Sequence, residues 1–164
     1  MATIKPIPDG MRAVTPSLSI RDAHVAIDFY KKAFGATELM RMAGPDGKIV
    51  HGEIRIGDST IFISDEFPAM GGKAVQTYGG SPASIYLYVP DVDATFKAAV
   101  AAGATAKMPP SNAFWGDRHA YIIDPFGYPW ALATHVEDVP PDEIARRSKA
   151  FFSGKKLGDD SSGA

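Results

Sequence analysis

His51 and Glu53 stand two residues apart in "KIVHGEIRI", and "FWGDRHAYIIDPFGYPWALATH" gathers two Trp, two Tyr, two His and two Asp between residues 114 and 135. In an extended chain, residues two apart share a face. His51 with Glu53, and His119 with Tyr121, therefore each present a pair of polar groups to one side. An imidazole exchanges a proton near neutral pH, so His51 and His119 are the candidate general bases if the chain is an enzyme. Neither spacing by itself assigns a catalytic role. His135 shares the face of Ala131 and Ala133. Imidazoles of His51, His119 and His135 converging with Glu53 would make a metal site, but nothing in their spacing demands it.

The remaining polar and aromatic residues of this run have structural readings. Trp115 precedes a Gly at the start of a strand. Its ring can stack on a planar ligand at a cavity mouth or pack over a hairpin or subunit seam. Asp117 and Arg118 point to opposite sides and suit a structural ion pair or backbone clamp rather than chemistry. Asp124 with Pro125 and Gly127 has the composition of a β-turn. Trp130 is expected in the core and His24 in solvent. There is no GxSxG, P-loop or dinucleotide fingerprint, and Gly71-Gly72 and Gly79-Gly80 lack a following helix.

These residues must be carried by repeated elements. "SIRDAHVAIDFYKKAFGA" at 19–36 and "YVPDVDATFKAAVAAGA" at 88–104 share one plan: a strand end, an Asp, about three helical turns, then Gly-Ala. Asp22 and Asp91 can cap, because a carboxylate accepts from the free N–H groups of a first turn. Gly35 and Gly103 suit the left-handed closing position. Ala23, Ile27, Tyr30 and Phe34 form one apolar stripe, and Val92, Phe96 and Val100 another. Strands are expected at 13–20, 37–43, 48–56 and 59–65, and again at 84–90, 104–108, 117–123 and 129–136, with a break at Pro109-Pro110.

The pattern is β-α-β-β-β written twice, an α+β fold in one domain spanning 1–153. Module 1 covers about 12–66, a Gly-rich linker 67–83, module 2 about 84–136, and a short terminal helix about 141–152. The polar segment 154–164 is expected to be a disordered tail.

Alternation sorts the strand faces. Thr15, Ser17 and Ser19 oppose Val14, Pro16, Leu18 and Ile20, while Ser84, Tyr86 and Tyr88 oppose Ile85, Leu87 and Val89. His51, Glu53 and Arg55 oppose Val50, Ile54 and Ile56, while Phe62 and Ser64 oppose Ile61 and Ile63. The apolar faces belong under the helices. The others are semi-polar and aromatic, a composition that suits a pocket or a subunit contact. The expected ligand-facing set is Thr15, Ser17, His51, Glu53, Phe62, Ser64, Ser84, Tyr86, Tyr88, Trp115, His119 and Tyr121.

Bulk composition narrows the function classes. The 164 residues carry 17 basic and 19 acidic side chains, a formal net charge of −2, without a long block of one sign. A nucleic-acid or membrane-surface partner needs a concentrated basic face, so neither is expected. There is no cysteine, hence no disulfide frame or thiolate chemistry. No apolar run approaches a membrane span and the N-terminus lacks a signal-like core, so a cytoplasmic protein is the expectation.

The paired modules, "IDFYKKAFGA" and "DPFGYPWALATH" resemble the vicinal oxygen chelate superfamily, which includes glyoxalase I, extradiol dioxygenases and bleomycin- and fosfomycin-resistance proteins. The resemblance spans roughly residues 12 to 136. "FWGDR…DPFG…W…ATH" is similar to a bacterial subgroup labelled glyoxalase- or bleomycin-resistance-like. The family implies two modules curled into a half-barrel around a cavity, commonly as a homodimer. In its metal-dependent members the ligand positions would fall on Thr15, Ser64, Ser84 and Ala131 here. None is His, Glu or Asp, and slips of two residues reach only Ser17, Phe62, Tyr86 or Ala133. Hydroxyl and methyl groups are poor ligands for a divalent ion, so no metal and no cofactor are expected. The leading expectation is binding of a small aromatic or antibiotic-like molecule. The alternatives are a metal-dependent or His-based lyase, isomerase or dioxygenase, and a non-catalytic dimeric interaction module.

Overall fold

The computed structural model describes residues 4–154. Asp22 caps α1 (Ala23–Phe34) by accepting from Val25 N, and Gly35 closes it at φ 65°. Asp91 caps α3 (Val92–Ala101) through Ala94 N. Helix α1 follows β1 (Ser17–Ile20) and precedes β2 (Thr37–Ala43), β3 (Ile49–Ile56) and β4 (Ser59–Asp65). Helix α3 follows β5 (Ile85–Tyr88) and precedes β6 (Thr105–Asn112), β7 (Asp117–Ile123) and β8 (Pro129–His135). The connection between modules holds a 3-10 turn (Pro68–Met70) and the one-turn helix α2 (Val75–Tyr78), and α4 (Pro141–Ser153) ends the described chain.

The strands form two four-stranded mixed sheets, ordered β1-β4-β3-β2 and β5-β8-β7-β6, which do not close into a barrel. In each, the first strand runs parallel to the last and the other pairs are antiparallel. This is the βαβββ plan read from the repeat. Helices α1 and α3 touch each other, and one cluster of buried apolar side chains spans both modules. The rings of Tyr30 and Phe34 on α1 lie 5.5 and 4.6 Å from that of Trp130 on β8. Trp130 is fully buried, as its alternation required.

Several local expectations are corrected. Strand β1 begins at Ser17, and Val14 is 83% exposed rather than under the helices. Val50 is exposed and Ile49 fully buried, because an irregularity between Met42 and Ala43 shifts the pairing with β3. Ala99 rather than Val100 fills the inner stripe of α3. Strand β6 continues through Pro109-Pro110 to Asn112. It is an edge strand with an irregular register between Met108 and Ser111, a place where a missing N–H costs no ladder bond. The expected tail, 154–164, lies outside the described residues after Gly154.

Candidate ligand site of the second module

Asp117 opens β7 with its side chain on the face turned away from Arg118, which pairs with Asp93 of α3 at 2.6 Å. The two neighbours point to opposite sides, and the structural ion pair expected here is the one that Arg118 makes with Asp93. Asp117 is 3% exposed. Its Oδ2 accepts from Trp115 Nε1 at 3.0 Å, Tyr88 Oη at 2.9 Å and Tyr86 Oη at 3.2 Å. Its Oδ1 lies 2.9 Å from Nδ1 of His135, the residue opposite on β8. Burial works against the charge. The hydrogen bonds from His135, Tyr88, Trp115 and Tyr86 outweigh it and hold the carboxyl below its ordinary range. The bond to Asp117, followed by one to Asp138, raises His135. Burial and then the Asp117 charge push the Tyr86 hydroxyl up. A carboxylate with both oxygens engaged anchors aromatic side chains rather than taking a proton.

His119 lies two residues along the same face, 9% exposed. Its ring centroid is 4.8 Å from that of Trp115 and 5.6 Å from that of Tyr121. Its Nδ1 is buried without a hydrogen-bond partner. Burial lowers its pKa, against the pull of Asp117, so the imidazole is neutral at pH 7. Beside it a cavity of about 610 Å³ is lined by Met108, Ser111 and Asn112 of β6, by Ala113, Phe114 and Trp115, and by Phe151 and Phe152 of α4. That volume suits a drug-sized molecule, and aromatic walls with few polar groups are the usual lining of such sites.

The loop that carries Trp115 also steers α4. Gly116 has φ 103°, and a Cβ there would collide with the carbonyl oxygen of Glu137. Its own carbonyl accepts from Val136 N and Glu137 N at 2.9 and 3.0 Å. The chain leaving β8 thus crosses directly over Gly116. Arg147 then bonds both Glu137 and Glu143, bringing Phe151 and Phe152 within 5.5 and 6.2 Å of the Phe114 ring.

The other expected ligand-facing residues fall elsewhere. His51 Nε2 and Glu53 Oε1 are 3.0 Å apart on β3, with the Phe62 ring 4.9 Å from the imidazole. Ser17, Ser84 and Tyr86 line a separate depression of about 480 Å³ with Tyr128 at the seam of β1 and β5. Thr15 donates to Arg12 O ahead of β1, and Ser64 is half-buried on β4 beside Ser19. His24, exposed, bonds Gly47 O and Arg41. A further depression of about 380 Å³ is lined by Gly10, Arg12, Arg55 and Asp58.

A family model described as the Glyoxalase/Bleomycin resistance protein/Dioxygenase superfamily matches residues 12–132. The chain belongs to this superfamily. Curated relatives include the uncharacterized proteins Mb0911c of Mycobacterium bovis and Rv0887c of Mycobacterium tuberculosis. Each is 47% identical over 135 residues, covering 80% of this chain and 89% and 79% of their own. Among solved structures, TioX from Micromonospora sp. ML1 aligns with a TM-score of 0.60 at 25% identity, covering 76% of this chain and 99% of its own. Protein PA1353 from Pseudomonas aeruginosa aligns with a TM-score of 0.61 at 22% identity, covering 76% and 98%, which bears on the fold alone.

The glyoxalase-superfamily positions that would ligate a metal do not suit one here. Ala131 offers only a buried methyl group, Thr15 lies in the chain ahead of β1, and Ser64 and Ser84 offer hydroxyls. Among the described residues no three His, Asp or Glu side chains form a group able to hold a metal ion. The histidines and Glu53 therefore do not converge.

Sequence reasoning reached Trp115, His119 and Tyr121 but passed over Asp117, Phe114, Phe151 and Phe152. Asp117 had a signal: it shares the parity of His119 and Tyr121. The phenylalanines of α4 had none, because their place depends on how the chain passes Gly116.

Proposed function

We propose that this chain binds a small planar molecule, aromatic or antibiotic-like, in the second-module cavity, and that binding needs no metal. The observation that carries this reading is the wall of Phe114, Trp115, Phe151 and Phe152 beside His119, whose Nδ1 has no hydrogen-bond partner. Stacking on such a wall supplies contact area, and a few polar groups, His119 with Ser111 and Asn112, fix orientation. Superfamily membership supports a small-molecule role without naming the ligand.

A thermal-shift screen of planar natural products tests the reading. A ligand at about 100 times its Kd should stabilise the fold by roughly 2.7 kcal/mol, and Trp115→Ala should abolish that shift. A screen without hits, or hits indifferent to Trp115 and Phe152, would remove the cavity from consideration. Elemental analysis of protein purified without chelator should find no stoichiometric metal.

The same reading includes a homodimer. Met40, Met42 and Val50 of the first sheet stand 43%, 52% and 41% exposed, apolar area that a second chain can cover. Sedimentation should return twice the chain mass; a monomer would discard this part. A second reading, proton transfer at His51, is favoured by its 3.0 Å contact with Glu53. His51→Gln should then abolish turnover while leaving ligand binding intact.

A further inference from the structure

We propose that the group a ligand presents to His119 is an uncharged hydrogen-bond acceptor, a carbonyl oxygen on a planar ring system, met by an N–H that His119 carries on Nε2. The inference rests on the reading that the second-module cavity binds a ligand, and adds its chemical class.

A neutral imidazole has one N–H and one lone pair, and the surroundings of His119 decide which nitrogen holds the proton. Nδ1 is buried and without a partner. A proton there would be a donor sealed from every acceptor, and orphaned buried N–H groups are the rarer fault in folded proteins. Nε2 is the less buried ring nitrogen of a residue that lines the cavity. The proton belongs on Nε2, where water or a ligand can accept it. An N–H on the wall of a mostly apolar cavity favours a ligand that brings an acceptor to it, with Ser111 and Asn112 the other polar groups of the lining.

Charge selects within the acceptors. The residues lining the cavity include neither Lys nor Arg. Arg118, which also bonds the lining residue Asn112, is engaged by Asp93, and Arg147 by Glu137 and Glu143. Behind the wall stands Asp117, bonded to the Trp115 indole and to His135. A carboxylate ligand would find no Lys or Arg on the lining, and the arginines nearby are already paired with carboxylates. Shape selects the ring system, because Phe114 and Trp115 meet at 90° with centroids 5.0 Å apart, offering one flat face and one edge to a flat guest.

Calorimetric titration of the full chain with chromone, naphthalene and 2-naphthoate separates the possibilities. These share a two-ring frame and differ in carrying a neutral carbonyl, no acceptor and a charged acceptor. Chromone should bind about tenfold more tightly than naphthalene, one hydrogen bond's worth, and 2-naphthoate should bind most weakly. His119→Phe, which keeps a flat ring without the N–H, should bring chromone and naphthalene together. Independently, nitrogen-15 correlation spectra of the wild-type chain should place the proton of His119 on Nε2. Chromone and naphthalene binding equally, or 2-naphthoate binding best, or the proton on Nδ1, would overturn the acceptor class while leaving the cavity reading in place. None of the three binding would overturn both.

Discussion

The hydroxyl of Tyr30 donates to Oδ2 of Asp124 at 2.7 Å across 94 residues of chain, tying the helix of one module to the turn of the other. Asp124 also accepts from Trp130 Nε1 and from the N–H groups of Phe126 and Tyr128, each at 2.9 Å. The turn aspartate is thus also the staple between modules. Tyr30→Phe keeps the ring packing and removes one donor to a buried carboxylate. It should cost about 1–2 kcal/mol, read as a lower urea midpoint with an unchanged slope. An unshifted midpoint would show that the bond holds nothing together.

Asp117→Asn keeps the shape of the anchor but not its charge, and an amide cannot accept from all of Trp115, Tyr86, Tyr88 and His135. A loss of about 2–3 kcal/mol is expected, since hydrogen bonds to a charged group are the stronger kind. Trp emission should shift to the red as the Trp115 indole loosens. Native stability together with native emission would contradict the anchoring role.

Two histidines on neighbouring strands make opposite contributions to pH dependence. His119 is lowered by burial: its contribution is complete above the ordinary histidine range, about 6.5, and is lost as pH falls through the folded value. His135 is raised by Asp117 and Asp138: its contribution is complete below about 6.5 and is lost as pH rises through its folded value. Relative to wild type, His119→Phe should lose less stability on acidification from pH 7 to 5, and His135→Gln should lose less on going from pH 6 to 8. Melting temperature against pH for the three proteins checks both signs; parallel curves would refute them.

Gly116→Ala places a Cβ against the Glu137 carbonyl at a φ of 103°, a conformation that L side chains rarely adopt. The chain leaving β8 must move, and α4 with it. A loss of roughly 3 kcal/mol or more is expected, together with weaker binding of any cavity ligand. Wild-type affinity in this variant would separate the cavity from α4.

The paired βαβββ modules were legible because their signals are local. Caps at Asp22 and Asp91, apolar stripes of helical period and alternating strands act over a few residues, and the repeat doubles the evidence. The Asp124 turn and the buried Trp130 are likewise matters of residue type and parity. What one strand cannot specify is which residues of other strands lie opposite it. The gathering of Tyr86, Tyr88, Trp115 and His135 on Asp117 depends on the register of β5, β8 and β7. The irregular pairing that exposes Val50 depends on β2 and β3. The aromatic cover of the cavity depends on the chain after His135 passing over a glycine. Side-chain types and their faces were therefore determined by the sequence through local sterics and periodicity. Which of those faces meet, and the cavity they make, were decided by long-range packing of the whole chain.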